Sequence, residues 1–327
     1  MKAAFFSATL ATLVSLSGAQ SEILNASYDL AREFYGAFNP AFEAHYKKTT
    51  GKDVKVKQSN AGSTKQARSV ADGLKADVAT FNQDTDIQLL VDAGLVNPGW
   101  KKELPNNASP YRTLTVIIVR KGNPKNLKTW GDLAKPGVRL VAANPKTSGN
   151  GRYVFLGAAA YAHRKFDGDE AKMKDFLKTF YRNFPILPTG GRDLTTAFVE
   201  RRVGDALLTF ESEALLLTAE YPGQYEVVVP PYTVSPDFPV AVVDGVTDSK
   251  GTRAVAEAFA EYLFSDFGQE LAAKHHYRVS SKKIAEKYKD KFPETEIVDI
   301  NGLFGPWSEL NKELFGEDGW FDQLYVK

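Results

Sequence analysis

Runs of β-branched and apolar residues recur between amphipathic stretches along this chain, and that alternation most narrows what it can fold into. Val54 to Gln58 alternates apolar and polar residues as a half-buried strand does, and Ala76 to Phe81 is a short apolar run bounded by polar residues. Leu114 to Val119 is continuously apolar, as expected of a strand covered on both faces. Between them, Leu30 to Lys48 carries Phe34, Phe38, Phe42 and Tyr46 at four-residue spacing, and Thr85 to Ala93 gives a further helix. Pro40 is expected to kink or divide the first of these. Further on, strands at Gly137 to Ala143, Ala206 to Phe210, Tyr225 to Pro230 and Phe238 to Val243 are interleaved with helices over Tyr153 to His163, Asp169 to Tyr181 and Thr252 to Phe264. The aromatic tail Trp307 to Tyr325 reads as packing. Strands alternating with helices argue for an α/β protein.

At 327 residues the chain exceeds what a single core holds, so two lobes are expected. Proline-bearing passages at Asn106 to Arg112 and Val229 to Pro239 stand where a chain would leave one lobe and return to it. The division that follows is lobe I from 20-112 plus 238-327, and lobe II from 113-237. Ahead of them, Met1-Lys2, the apolar run Ala3 to Leu16 and the small residues Ser17-Gly18-Ala19 read as a signal peptide, 1-19, cut near Ala19. The run is too short for a membrane span. The sequence contains no cysteine, so neither disulfides nor a lipid-modified cysteine is available, and a freely diffusing periplasmic monomer is the expectation. A net charge of +1 offers no broad basic surface for nucleic acid, and any recognition of an anion must be local.

Local sites are suggested by the loops. Asn144-Pro145-Lys146-Thr147-Ser148-Gly149-Asn150-Gly151-Arg152 leads straight into a helix. The first amides of a helix have no intrahelical partner, the macrodipole places partial positive charge there, and glycine admits a ligand close to the main chain. Ala61-Gly62-Ser63-Thr64, Thr189-Gly190-Gly191-Arg192-Asp193 and Ser27-Tyr28-Asp29 open helices in a similar way. Any one of these is ordinarily a cap; four can form a cage of N–H donors at the C-terminal ends of strands, where ligands of α/β sheets bind.

Asn25-Ala26-Ser27-Tyr28-Asp29 with Arg32-Glu33, Gly62-Ser63 with Lys65-Gln66-Ala67, Asn144-Pro145-Lys146-Thr147-Ser148-Gly149, Phe198-Val199-Glu200-Arg201 with Gly204-Asp205, and Phe321-Asp322-Gln323-Leu324-Tyr325 resemble the periplasmic sulfate-binding proteins, the solute receptors of ABC-type sulfate/thiosulfate importers. The resemblance runs from one end of the mature chain to the other, and Asn144 to Gly149 is its most specific piece. It implies a two-lobed periplasmic binding protein fold of type II, with a sulfate or thiosulfate ion in the cleft, a membrane permease as partner, no cofactor and no metal. Carried over by position, the donors fall on the backbone N–H of Asp29, Ser63, Gly149, Asn150 and Gly191, and on the Ser148 hydroxyl. Asn150 stands where a second glycine is usual and Gly191 where alanine is usual; neither change removes an amide. Phe210 stands where the family typically has a tryptophan whose indole donates to the ion, and phenylalanine has no donor. Thr209, Ser212 or the Asn150 side chain can substitute, or the ligand is thiosulfate with its larger sulfur. The resemblance puts the charge of Arg192 at the surface or in an ion pair behind the site.

Receptors for molybdate, tungstate or phosphate share this plan, although the resemblance assigns no carboxylate acceptor of the kind a phosphate receptor uses. A ferric-ion receptor commonly has adjacent tyrosine ligands, and no Tyr-Tyr pair occurs. An exported enzyme is the rival from another class. The four histidines show no metal spacing, and neither a nucleophile elbow nor a phosphate loop occurs, so the chain is read as no enzyme.

Overall fold

Ser21–Tyr28 is the central strand of the first lobe in a computed structural model that describes residues 21–325. It pairs in parallel with Val54–Ala61 on one side and Val78–Thr80 on the other, and Val240–Val242 closes the sheet antiparallel to Val78–Thr80. The spacing above does not reveal this strand, because polar Asn25 and Ser27 are as buried as Ile23 and Ala26. Asn25 is held there by Thr80 Oγ1, which donates to its Oδ1 at 2.9 Å. The second lobe is built on a sheet in the order Leu140–Val141, Ala206–Phe210, Thr115–Arg120 and Tyr225–Val228, in which Thr115–Arg120 runs antiparallel to both neighbours.

Two segments join these sheets side by side, since Tyr111–Arg112 pairs antiparallel with Asp237–Phe238 and with Arg278–Val279. Phe238 to Val243, read as one strand, is therefore two. The chain changes sheet at Pro239, which cannot donate to a ladder but whose carbonyl accepts the Phe81 amide at 3.0 Å. Pro40 does not divide its helix either. Arg32–Thr50 is one element ending at the left-handed Gly51, and Pro40 lies on its exposed side while Phe34, Phe38 and Phe42 are fully buried. Phe38 and Phe42 meet the Phe259 ring edge-on at 5.2 and 5.1 Å, so aromatic packing holds the helix across the one missing hydrogen bond.

The C-terminal segment departs from the expected division, being shared with the second lobe. Glu296–Ile297 adds in parallel to Tyr232–Thr233, and Trp320–Leu324 packs on the second-lobe helix Glu170–Arg182 with Phe321 edge-on to Tyr181 at 5.4 Å. Lys146 ties the tail to the Asn144 loop by donating to Asp322 at 2.6 Å and to the carbonyls of Phe315 and Gly316. The expected leader over 1-19 lies outside the described residues.

Candidate functional site

Each of the suspected loops enters a helix. Tyr28 leads into a short 3-10 turn, Asp29–Ala31, and on into Arg32–Thr50; Gly62 precedes Ser63–Ala71, Ser148 precedes Gly149–Lys165, and Gly190 precedes Gly191–Val199. In all four the residue before the first turn is extended, and none receives a side-chain capping bond of the usual kind. The amides of those first turns have no partner within their helices.

The entries come together from opposite lobes. A Cβ built on Gly62 would lie 2.7 Å from the Thr147 carbonyl oxygen and 3.2 Å from that of Thr189. One built on Gly190 would lie 2.6 Å from Asp29 Oδ2 and 3.9 Å from the Gly62 nitrogen. Gly191 packs on the Leu30 side chain, and Gly149 packs on the carboxamides of Asn82 and Gln83. Thr147 Oγ1 donates to the Thr189 carbonyl at 2.8 Å, joining the two second-lobe loops. The loops that carry Asp29, Ser63, Gly149 and Gly191 thus approach one another from the two lobes.

Side chains at this point are occupied in specific ways. Asp29 Oδ2 accepts the Arg192 amide at 3.1 Å, so a first-lobe carboxylate caps a second-lobe helix. Burial raises the Asp29 pKa, and the amides of Arg192, Asp29, Gly191 and Leu30 oppose that rise. The Arg192 guanidinium pairs with Glu33 across the lobes. Ser63 Oγ accepts the Asn82 amide at 3.2 Å, which leaves the Ser63 backbone N–H at the helix start. The Ser148 side chain is buried and makes no hydrogen bond among the described residues.

Phe210 is fully buried at the end of its strand, 5.2 Å from the Phe238 ring and 6.3 Å from Tyr153. Phe238 also meets Tyr28 at 5.0 Å, so an aromatic wall runs from the first helix entry to the second lobe. Of the donors considered as replacements for an indole, Asn150 Nδ2 gives one of its two hydrogens to Thr209 Oγ1 at 2.9 Å. The Ser212 amide donates to Thr113 Oγ1.

Sequence reasoning missed Asn82, Gln83 and Asp86, which follow the strand Val78–Thr80, and it gave no role to Arg152. Asp86 Oδ1 accepts from Gln83 Nε2 at 2.7 Å, and Gln83 Nε2 also donates to Thr64 Oγ1 at 3.0 Å. Burial pushes the Asp86 carboxyl up, with Arg152 the foremost opposing influence. Arg152 is itself buried and lowered by desolvation, and its Nε donates to the Pro145 carbonyl at 2.9 Å. Asp86 and Arg152, opposite charges from the two lobes, thus influence each other's ionisation. Arg152 closes the loop string already singled out, whereas nothing near Asp86 in the sequence marks it.

With this geometry in view, a family model described as bacterial extracellular solute-binding protein matches residues 26–278. A thiosulfate-binding protein of Pseudomonas aeruginosa is 47% identical over 99% of both chains. A sulfate-binding protein of Salmonella typhimurium is 43% identical over 93% of this chain and 92% of its own. Among solved structures, the sulfate-binding protein SubI from Mycobacterium tuberculosis H37Rv matches with a TM-score of 0.81 at 29% identity, over 90% of this chain and 100% of its own. A two-lobed α/β molecule with relatives of this kind along its whole length belongs to the bacterial extracellular solute-binding protein family.

Proposed function

We propose that this protein is an exported, periplasmic receptor that captures sulfate or thiosulfate and presents it to the membrane permease of an ABC importer. The observation that carries the reading is the meeting, between two lobes, of four helix entries, none of them capped by the side chain of the residue that precedes it. The anion would take the backbone N–H groups of Asp29, Ser63, Gly149, Asn150 and Gly191 and the Ser148 hydroxyl, with Phe210 in the wall behind.

The physics of that arrangement selects the ligand class. Helix N-termini offer partial positive charge and fixed donors without long side chains whose ordering would oppose binding. Sulfate and thiosulfate carry no proton at neutral pH, so a ring of donors satisfies every oxygen. Monohydrogen phosphate brings a hydroxyl that such a ring leaves unpaired, which disfavours it strongly. Contacts across the cleft exist only when the lobes meet, so the anion stabilises the closed form, and the closed form is what a permease can recognise. The relatives are named as binding proteins, in keeping with a receptor rather than an enzyme.

Calorimetric titration of the mature protein with sulfate, thiosulfate, molybdate and phosphate at matched ionic strength tests the proposal. Saturable binding of sulfate or thiosulfate is expected. No heat with either, or a preference for phosphate, overturns it.

A further inference from the structure

Arg278 and Glu211 form a bidentate ion pair beside the place where the chain first passes from one lobe to the other. Arg278 Nε donates to Glu211 Oε2 at 2.6 Å and Nη2 donates to Oε1 at 2.8 Å, with the Glu211 side chain 1% exposed. Backbone ties each partner to that crossing. Arg278 lies opposite Arg112 in the pairing of Arg278–Val279 with Tyr111–Arg112, and the Glu211 amide donates to the Leu114 carbonyl at 2.8 Å. The pair thus spans the passage 112–114. Within it, Thr113 Oγ1 accepts the Ser212 amide at 3.2 Å. The Thr113 amide donates to the Pro236 carbonyl at 3.2 Å, and its own carbonyl accepts from Ser235 Oγ at 2.9 Å, which binds the second crossing to the first. Arg278 Nη2 also donates to the Pro293 carbonyl at 2.7 Å, on the segment that leads to the strand Glu296–Ile297. Two parallel charge-assisted bonds fix the plane of the guanidinium against the carboxylate, so this pair resists rotation as a single bond would not.

We propose that Arg278 is a positioning residue for anion capture, which through Glu211 clamps the crossings into one axis and so makes the lobes close along one path. It touches no ligand. The proposal rests on the receptor reading above, in which closure buries the anion. With the axis held, the unliganded lobes sample few relative orientations, and most of those lead to the arrangement in which the helix entries meet. Without it, the arrangement that binds is a smaller fraction of the ensemble, and the apparent affinity falls by that fraction.

Removing one partner alone would leave a buried charge unpaired and destabilise the fold. The test therefore replaces both, combining Arg278→Met with Glu211→Leu, and adds Arg278→Lys, which keeps the charge and loses the fork. The chain has no cysteine, so Lys48→Cys on the first lobe and Lys178→Cys on the second, both exposed, take spin labels specifically. Without sulfate, the distance distribution between the labels should be broader in the double apolar variant and in Arg278→Lys than with the native pair. Saturating sulfate should bring all three to one distance, and calorimetry should show sulfate affinity lowered by about tenfold in both variants. A pair that served stability alone would lower the denaturation midpoint and leave the unliganded distribution as it is. That result, or unchanged affinity in the double variant, overturns the proposal and leaves the receptor reading intact. Wild type that binds neither sulfate nor thiosulfate overturns the receptor reading, whereas the clamp is judged by distances measured without any anion.

Discussion

The side-chain amide of Asn150 donates to the Thr209 hydroxyl at 2.9 Å, within the second lobe and immediately before Phe210. That bond uses one of the two Nδ2 hydrogens and anchors the Asn150 side chain beside Phe210, where the indole is absent. Phe210→Trp restores the indole and should shift preference toward sulfate over thiosulfate by about 10- to 100-fold, the worth of one hydrogen bond to a charged group. The ratio is the quantity to measure, because the larger ring must also fit between Tyr153 and Phe238 and will cost stability through overpacking. An unchanged ratio would mean that the indole position has no bearing on which anion binds.

Arg192 offers the opposite expectation. Its guanidinium faces Glu33, and both side chains are about two-fifths exposed, at 43% and 39%. An ion pair that open to water contributes roughly 0–1 kcal/mol. The anion is served by main-chain amides that substitution leaves in place. Arg192→Ala should thus change sulfate affinity by less than about fivefold. A loss of several hundredfold would place the guanidinium on the anion.

What the sequence made legible follows from where the information is local. A strand buried on both faces, such as Thr115–Arg120, and a helix with aromatics on one side, such as Arg32–Thr50, carry their own periodicity. So do the helix entries at Gly62, Ser148 and Gly190, where small residues mark an approach by another backbone. Ser21–Tyr28 was not legible, because Asn25 faces inward toward Thr80, and burial of a polar group that finds a partner leaves no pattern along the chain. Asn82 and the opposed charges of Asp86 and Arg152 were not legible for a related reason. Each acquires its meaning from a residue on the other lobe, and a single sequence does not record that pairing.

Glu213 should make stability depend on pH. Burial raises its carboxyl from 4.5 to about 7, with a 2.8 Å hydrogen bond from Thr195 Oγ1 and the charge of Arg192 opposing the rise, and Glu33 and Asp29 adding to it. The folded pKa lies above the unfolded one, so folding takes up a proton within that window. The stabilising contribution is complete below about pH 4.5 and is lost as pH rises through about 7. Denaturant midpoints measured from about pH 5 to about pH 8 should fall for wild type relative to Glu213→Gln, which cannot ionise. Parallel curves for the two proteins would show that this carboxyl ionises normally when buried.

Gly62→Ala separates folding from binding most directly. Gly62 has φ −54° and ψ 135°, which alanine adopts without strain. A loss of chain entropy in the unfolded state favours alanine, a poorer N-cap disfavours it, and the two are of similar size, so the unliganded protein should keep its stability to within about 0.5 kcal/mol. The new methyl meets the carbonyl oxygens of Thr147 and Thr189, at 2.7 and 3.2 Å, only when the second lobe is in place. Those oxygens belong to backbone tied together by the Thr147 to Thr189 hydrogen bond, so they cannot step aside as a flexible side chain would. Closure is then opposed while each lobe stays intact. Sulfate affinity should fall by at least about tenfold, which is about 1.4 kcal/mol of lost closure. In X-ray scattering, the decrease in radius of gyration that sulfate produces in wild type should be smaller or absent. Normal closure and normal affinity in this variant would show that the lobes do not meet at Gly62 when the anion is bound.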